Sequence, residues 1–203
     1  MEERKTIAIF GGAFNPPLNS HIYLAKEVLR KIDNVTTVVF VPVNSDYNKY
    51  GLVSNKDRYN MLELACWAQE SIIVSSVEID SPRPLYTIET LEYMKKEIYP
   101  NDDICLIIGS DNLKTLSGWK AVYRLLDEFN VIVFSRNNDD IEKIINEDRL
   151  LRKHKEAFIK IDINEYKDLS STNVRNMIKN GEDVSSFMPK EVEDYIKKNK
   201  LYI

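Results

Sequence analysis

The sequence is poor in several residue types that mark whole classes of protein. It has only two cysteines, two histidines and six glycines among 203 residues. It also lacks the roughly 20 consecutive apolar residues that a membrane-spanning helix needs. The short apolar segment after "MEERKT" is too brief for a signal-peptide core. We therefore expect a cytoplasmic protein with no membrane association.

The scarce cysteines and histidines give no grounds for a structural zinc site. Cys66 and Cys105 lie inside the apolar segments "LELACWAQ" and "ICLIIG", a setting typical of buried free thiols. His21 and His154 are far apart in the sequence, and no paired cysteine spacing is present. No metal site built from protein ligands is predicted.

An excess of positive charge is absent as well. The chain carries 28 basic and 32 acidic residues, for a formal net charge of −4. Such a balance gives no general attraction to nucleic acid or to anionic membranes, so any affinity for phosphate has to be local. With 43% hydrophobic residues the chain can bury one core. We expect a single domain over residues 1–203, with a C-terminal helical part at about 170–203.

What the sequence does have is a regular alternation of strand-like and helical patterns. Runs rich in β-branched residues predict strands at 6–10, 36–42, 71–79, 104–109, 131–135 and 157–163. Helical patterns lie at 21–32, 56–70, 87–98, 119–128, 139–150, 171–181 and 189–199. Several strands are apolar throughout, as strands covered on both faces should be. The alternation predicts an α/β fold, a Rossmann-like, doubly wound and mostly parallel sheet of five to six strands with helices on both faces.

The first strand ends in a turn that suits an anion. The stretch "GGAFNPPLNSH" (residues 11–21) joins this strand to a helix that we expect to begin near Ser20. Glycines let the backbone approach a ligand closely, and a helix start offers free N–H groups. His21 would lean back toward that helix start, where a phosphate would lie. A plain tight turn and a packed histidine would explain these residues one by one, but their combination favours a phosphate site.

A second cluster of this kind lies far along the chain. The stretch "SSTNVR" presents the hydroxyls of Ser170, Ser171 and Thr172 at a helix start, with Arg175 one turn further on. An ordinary helix cap needs only one hydroxyl. Three hydroxyls and a guanidinium can form a polydentate anion receptor. Two anion sites on one sheet suggest a nucleoside triphosphate.

These motifs resemble those of a family of nucleotidyltransferases marked by a GG-x-F-[DN]-P-x-H-x-G-H turn and an [IL]-S-S-T-x-x-R helix start. Among them, the sequence is most similar to the bacterial nicotinate-nucleotide adenylyltransferases. The similarity includes "VPVNSDYNKY" (41–50), "RYNMLELA" (58–65), "PLYTIETLEYM" (84–94), "IIGSDNLKTLSGW" (107–119) and "FMPKEVEDYIKKNKLY" (187–202). The resemblance implies adenylyl transfer from ATP, carried with Mg²⁺, to nicotinate mononucleotide in NAD biosynthesis. It is also compatible with a homo-oligomer.

The resemblance implies a set of site residues. The implied ATP-binding residues are Gly11, Gly12, Ala13, Phe14, His21, Gly109, Asp111, Arg136, Ser170, Ser171, Thr172 and Arg175. The implied acceptor-binding residues are Asn15, Lys49, Tyr86, Thr87 and Trp119. The implied catalytic residues, which would stabilise phosphate charge, are His21, Arg175 and Lys49. Taken singly, Trp119 and Tyr86 are more typical of core or rim aromatics, Asp111 of a helix cap and Arg136 of a surface charge, so only the resemblance favours their roles in the site.

The sequence departs from the family pattern at the end of the first turn. Where the family has H-x-G-H, residues 18–21 read "LNSH". Leu18 cannot donate to a phosphate, and one preorganised donor is typically worth roughly 2.7–4 kcal/mol of transition-state stabilisation. Leu18→His is therefore expected to raise turnover or leave it unchanged. Ser20, which replaces the glycine, is a competent helix N-cap, whereas Asn48 replaces a family histidine beside Lys49.

Two other functions stay open at this point. The protein could be a weakly active or inactive nucleotide-binding paralogue, or a nucleotidyltransferase for another acceptor such as phosphopantetheine. His21 and the intact "SSTNVR" favour an active enzyme over the paralogue. The region around Trp119 and the ending "FMPKEVEDYIKKNKLY" match the nicotinate enzymes and argue against the other acceptor.

Overall fold

The computed structural model describes residues 4–46, 51–136, 138–163 and 170–203, which form one sheet covered by helices. The strands are β1 (Thr6–Gly12), β2 (Val35–Pro42), β3 (Ile72–Val74), β4 (Asp103–Gly109), β5 (Asn130–Phe134) and β6 (Phe158–Ile161). The helices are α1 (Asn19–Lys31), α2 (Asn55–Cys66), α3 (Thr87–Tyr93), α4 (Ser110–Leu113), α5 (Val122–Glu128), α6 (Ile141–Glu147), α7 (Arg149–Lys153), α8 (Ser171–Lys179) and α9 (Lys190–Asn199).

The sheet is parallel throughout the described residues, in the order β3-β2-β1-β4-β5-β6. At its centre, β1 pairs with β2 through Ile9 and Val39 and with β4 through Ile9 and Leu106. The winding reverses at this point, and ligands of such sheets bind in the crevice beyond the carboxyl ends of the strands there. The predicted fold class is confirmed, with six strands.

Helices cover both faces of the sheet because its central strands are apolar on both faces. Along β1, Ala8 and Phe10 belong to one buried cluster, and Ile7 and Ile9 belong to the other. The first cluster joins the sheet to α1, α2, α8 and α9, and the second joins it to α3, α5, α6 and α7. This two-sided burial explains why the strands read as continuous apolar runs.

Two predictions from the scarce residue types can be compared directly with the structure. Cys66 and Cys105 are free and buried, as predicted, and burial raises the pKa of each thiol to about 12. Within the described ranges, no helix combines the length and apolar character that a membrane span requires.

The predicted strand at 71–79 is wrong over most of its length. β3 covers only Ile72–Val74, and the segment that follows forms turns. Serine side chains hold these turns, including a 2.6 Å hydrogen bond from Ser76 Oγ to Asp80 Oδ2. The early end of the strand leaves the buried carboxyl of Glu78 in a loop beside the carboxyl edge of the sheet.

The predicted helices also differ from the structure in their limits. The helix predicted at 139–150 is interrupted, because Asp148 Oδ1 accepts the N–H groups of Leu150 and Leu151 and so begins α7. The helix predicted at 87–98 is α-helical only to Tyr93 and continues as a π-helix over Met94–Ile98.

Candidate active site

Two neighbouring cavities lie beyond the carboxyl ends of β1 and β4. The histidine cavity, named here for His21 in its wall, has a volume of about 450 Å³. The tryptophan cavity, named for Trp119, has a volume of about 460 Å³. Gly11, Gly12 and Asn112 line both cavities, so ligands bound in the two would meet at the glycine turn.

The histidine cavity brings together every residue implied to bind ATP. These residues are Gly11, Gly12, Ala13, Phe14, His21, Gly109, Asp111, Arg136, Ser170, Ser171, Thr172 and Arg175. The residues implied to bind the acceptor are divided. Tyr86, Thr87 and Trp119 line the tryptophan cavity, whereas Asn15 lines the histidine cavity. Lys49 lies outside the described residues, and its role stays a prediction.

The two glycines of the turn have different surroundings. A Cβ on Gly11 would meet no heavy atom within 4 Å, so this backbone is open toward the cavities that it lines. A Cβ on Gly12 would lie 2.9 Å from the Phe14 ring, which is closer than real contacts allow. Phe14 has a φ of 45°, in the left-handed region that costs a non-glycine residue energy. Gly12 thus makes room for a strained residue whose ring folds back against the turn.

His21 is held in one orientation as a neutral donor. Its Nδ1 accepts a hydrogen bond from the Leu18 N–H at 2.9 Å, which leaves the proton of a neutral ring on Nε2. Burial lowers the pKa of His21 to about 3, with a smaller contribution from the positive charge of Arg136. The rings of Phe10 and Phe14 contact the imidazole edge-on, with centroids 6.3 and 5.1 Å away. The free protein therefore presents an uncharged N–H donor in the cavity wall.

Leu18 does not face the cavity. Its side chain is 0% exposed and belongs to the first apolar cluster, beneath α1. Leu18 is itself the N-cap of α1, with an extended backbone, and the helix begins at Asn19. The predicted N-cap role of Ser20 is therefore wrong. His21, at the third helical position, reaches back to the Leu18 N–H and satisfies it instead.

The start of α1 offers fewer free N–H groups than the sequence suggests. The Asn19 N–H donates to the Phe187 carbonyl at 2.8 Å, and Asn19 Nδ2 donates to the Ser186 carbonyl at 3.1 Å. The His21 N–H donates to the Leu18 carbonyl at 3.0 Å. The segment before α9 thus takes up donors that the sequence analysis had left for a phosphate.

The start of α8 brings three hydroxyls to the histidine cavity, as predicted, but their local partners differ. Ser170 is the N-cap, and its Oγ accepts the Asn173 N–H at 3.2 Å. Ser171 Oγ donates to the Pro16 carbonyl at 2.9 Å, so its one hydroxyl proton is engaged by the glycine turn. Ser171 still lines the cavity, and its implied role in ATP binding stays a prediction. Among the described residues, the hydroxyls of Ser170 and Thr172 act only as acceptors, toward the Asn173 N–H and Arg175 Nη2.

Arg175 links α8 to the glycine turn. Its Nη1 donates to the Asn15 carbonyl at 2.8 Å, and its Nη2 donates to Thr172 Oγ1 at 3.2 Å. A guanidinium has five N–H donors in a rigid fork, so these two contacts orient the group without exhausting it. The remaining donors suit the oxygens of a phosphate in the cavity that Arg175 lines.

Asp111 and Arg136 line the histidine cavity after the ends of β4 and β5. Arg136 Nη1 lies 3.6 Å from Asp111 Oδ2, and the guanidinium lies over the Phe134 ring at 5.4 Å from its centroid. The Arg136 N–H donates to Ser110 Oγ at 2.8 Å. A Cβ on Gly109 would lie 2.4 Å from Asp111 Oδ1 and 3.0 Å from Arg136 Nε. Gly109 therefore permits both side chains to approach the turn after β4.

The tryptophan cavity has an aromatic rim. Tyr86 is 52% exposed at this rim, and Lys120 Nζ lies 5.9 Å from the centroid of its ring. Trp119 is partly buried against the second apolar cluster. Thr87 is the first residue of α3, and Glu89 orients this helix start by accepting the Tyr86 N–H at 2.8 Å. Such a cavity can hold a flat aromatic ring that carries an anionic substituent.

Sequence reasoning missed two buried charged residues beside the cavities. Glu78 lines the tryptophan cavity and accepts a 2.8 Å hydrogen bond from Thr90 Oγ1. Burial raises the pKa of Glu78 to about 7, against the opposing effects of Thr90 and of the Arg58 charge. Arg58 is 0% exposed and donates to the Ala13 carbonyl at 3.0 Å. A charge on the buried face of "RYNMLELA" could have indicated Arg58, whereas Glu78 was hidden in a predicted strand.

Comparison with known proteins agrees with this geometry. The sequence model of the cytidylyltransferase-like family matches residues 9–177. A probable nicotinate-nucleotide adenylyltransferase of Clostridium tetani is 32% identical over 98% of this chain and 99% of its own length. The corresponding protein of Chlorobium phaeobacteroides is 35% identical over 97% of this chain and 98% of its own length.

Solved structures agree at the level of the fold. Nicotinic acid mononucleotide adenylyltransferase of Plasmodium falciparum, complexed with NaAD, superposes with a TM-score of 0.80 at 21% identity. It covers 98% of this chain, which in turn covers 97% of that one. The fold and the paired cavities define a doubly wound α/β nucleotidyltransferase. The chain belongs to the cytidylyltransferase-like family and, within it, to the nicotinate-nucleotide adenylyltransferases, so the resemblance found in the motifs is confirmed.

Proposed function

We propose that the protein transfers the adenylyl group of ATP to nicotinate mononucleotide, forming nicotinate adenine dinucleotide and pyrophosphate in NAD biosynthesis. One observation carries the proposal. Residues from four distant segments, at 11–21, 109–111, 136 and 170–175, line a single cavity that shares the glycine turn with an aromatic-rimmed one. That arrangement suits two nucleotides whose reacting groups meet between them.

The reaction needs positioning and charge neutralisation more than acid–base groups. An oxygen of the acceptor phosphate attacks the α-phosphorus of ATP, the bond from that phosphorus to the bridging oxygen breaks, and pyrophosphate leaves with the bond's electrons. Arg175 and the hydroxyls of Ser170 and Thr172 bind the β- and γ-phosphates, where negative charge grows. His21 Nε2–H donates to the same phosphates from the other side of the turn, and Arg136 faces a phosphate or the adenine.

The acceptor lies in the tryptophan cavity. Its pyridine ring stacks on Trp119, and its carboxylate is received by Tyr86 and Thr87 beside the cation of Lys120. The partly buried Trp119 and the cation near the exposed Tyr86 ring support this assignment. Lys49 would add a positive charge to the acceptor phosphate.

Mg²⁺ would enter with ATP. Among the described residues no group of three or more His, Cys, Asp or Glu side chains converges on one point, whereas Asp111 places one carboxylate in the histidine cavity. A single carboxylate fits an ion that takes most of its ligands from phosphate and water. When bound, Mg²⁺ would neutralise charge on the β- and γ-phosphates.

The experiment is to incubate the protein with ATP, Mg²⁺ and one acceptor at a time, and to follow pyrophosphate and the coupled product. The acceptors are nicotinate mononucleotide, nicotinamide mononucleotide and phosphopantetheine. We expect the highest kcat/KM with nicotinate mononucleotide. ATP binding without product from any acceptor would contradict the proposal and favour the inactive paralogue, which the loss of a donor at Leu18 also makes a candidate.

A pair of tryptophan variants tests the acceptor cavity. Trp119→Ala should raise the KM for the acceptor and leave the KM for ATP unchanged. Trp67→Ala is the matched control, because Trp67 is 82% exposed and lines neither cavity. Equal acceptor KM values for the two variants would remove Trp119 from the proposed site.

A further inference from the structure

The side chain of Asn15 joins three parts of the chain beneath the glycine turn. It is 1% exposed, and its Nδ2 donates to the Gly51 carbonyl at 2.8 Å. Its Oδ1 accepts from the Val53 N–H at 3.2 Å and from the Tyr202 hydroxyl at 2.7 Å. The shortest of these contacts comes from Tyr202, which lies in the segment after α9.

The backbone of the same turn is held by residues of α8. The Asn15 carbonyl accepts from Arg175 Nη1 at 2.8 Å, and the Pro16 carbonyl accepts from Ser171 Oγ at 2.9 Å. Residue 15 is therefore held through its side chain by Tyr202 and through its carbonyl by Arg175. A shift of Asn15 would move the acceptor atom that orients the Arg175 guanidinium.

Tyr202 is suited to hold Asn15 permanently. Its ring is partly buried against the first apolar cluster. Burial raises the pKa of the Tyr202 hydroxyl, although the nearby charges of Arg175 and Arg58 oppose this. The hydroxyl is therefore protonated, and a donor, at neutral pH.

We propose that Tyr202 is a positioning residue for the phosphate site: its hydroxyl fixes Asn15, and Asn15 fixes the Arg175 guanidinium for ATP. The inference rests on the proposed function, in which Arg175 binds the phosphates of ATP. Tyr202 itself lines neither cavity. Asn15 and Arg175 line the histidine cavity and not the tryptophan cavity, so the influence of Tyr202 should fall on ATP and not on the acceptor.

The test compares two tyrosine-to-phenylalanine variants in the full chain. Tyr202→Phe removes only the hydroxyl that Asn15 accepts. Tyr195→Phe is the matched control, because its hydroxyl donates to Asp57 Oδ1 at 2.9 Å and accepts from Asn60 Nδ2 at 3.1 Å between α2 and α9. Melting temperature, the KM values for ATP and acceptor, and the Kd for ATP with Mg²⁺ are measured for each.

We expect Tyr202→Phe to raise the KM and Kd for ATP about two- to tenfold, the range of one hydrogen bond, and to leave the acceptor KM unchanged. Tyr195→Phe should lower only the melting temperature. In an Asn15→Ala background, Tyr202→Phe should add nothing to the loss of ATP affinity, since the hydroxyl acts through Asn15. If Asn15→Ala does not fold, the Kd for ATP of Tyr202→Phe compared with that of Tyr195→Phe tests the role of Tyr202.

Three results would overturn the inference. One is an unchanged Kd for ATP in Tyr202→Phe, and another is an equal loss in Tyr195→Phe. The third is a wild-type protein that does not bind ATP. If the wild type binds ATP but forms no dinucleotide, the proposed function fails alone, because the Kd for ATP still tests the role of Tyr202.

Discussion

Leu18 stands at the position where the family turn has a histidine, and the structure assigns it to the core. The side chain packs in the apolar cluster, while His21 alone both caps α1 through Nδ1 and lines the cavity. In the proposed function one residue thus has a structural role through Nδ1 and a phosphate-binding role through Nε2. The structure changes the expected effect of restoring histidine at position 18.

Leu18→His should destabilise the protein without raising turnover. An imidazole at this fully buried position would be desolvated in apolar surroundings. We expect this to lower the free energy of unfolding by about 1–3 kcal/mol. Thermal unfolding measures the loss, and Leu18→Met is the control because it keeps the volume and the apolar character. A faster variant of wild-type stability would show that position 18 reaches the phosphate site.

His21→Ala should reduce kcat by about 100- to 1000-fold, the typical effect of removing one preorganised donor. It should also lower the melting temperature, because the Leu18 N–H loses its acceptor. His154→Ala is the control, since this ring contacts the Leu150 carbonyl and Asp127, away from both cavities. A folded His21→Ala enzyme with nearly normal kcat would exclude the proposed role of His21.

A strand that ends earlier than predicted brings an unexpected carboxyl group to the site. β3 stops at Val74, and the serine-rich turns that follow place Glu78 in the wall of the tryptophan cavity. Its carboxyl has a hydroxyl partner in Thr90 and no ion pair within 4.0 Å among the described residues. The pKa of about 7 reflects this burial and makes stability depend on pH.

The pKa of Glu78 is raised from 4.5 to about 7 by folding, so the folded state binds more protons between these values. The free energy of unfolding should therefore fall as pH rises from about 4.5 through 7, with a slope of at most about 1.4 kcal/mol for each pH unit. Glu78→Gln should remove this dependence, so its melting temperature relative to wild type should rise between pH 5 and pH 8.

Glu89→Gln provides the control for Glu78. The Arg83 hydrogen bonds hold the pKa of Glu89 at about 2, so the stability it contributes is complete above its ordinary pKa of 4.5 and is lost only as pH falls toward 2. Its substitution should change the melting temperature equally at pH 5 and pH 8. A Glu78→Gln variant with the same pH-independent change in melting temperature would contradict the assignment of a raised pKa.

For the whole molecule, the sequence predicts the fold well because the residues of its two apolar clusters lie in continuous apolar strands and amphipathic helices. The histidine cavity was also predictable, since its residues follow strands or begin helices and therefore meet at one edge. The hydrogen-bond partners of particular hydroxyls and carbonyls could not be predicted from the sequence. The partner of the Ser171 hydroxyl is Pro16, which lies 155 positions away in the sequence. One partner of the Asn15 side chain is Tyr202, which lies 187 positions away.

The most direct test of the central claim follows the α-phosphate of ATP. With ATP labelled at that phosphate, Mg²⁺ and nicotinate mononucleotide, the label should appear in nicotinate adenine dinucleotide, with one pyrophosphate released per dinucleotide. Arg175→Ala should lose most of this transfer. Label that stays in ATP, or appears only in AMP, while the wild-type protein binds both substrates would contradict adenylyl transfer between the two cavities.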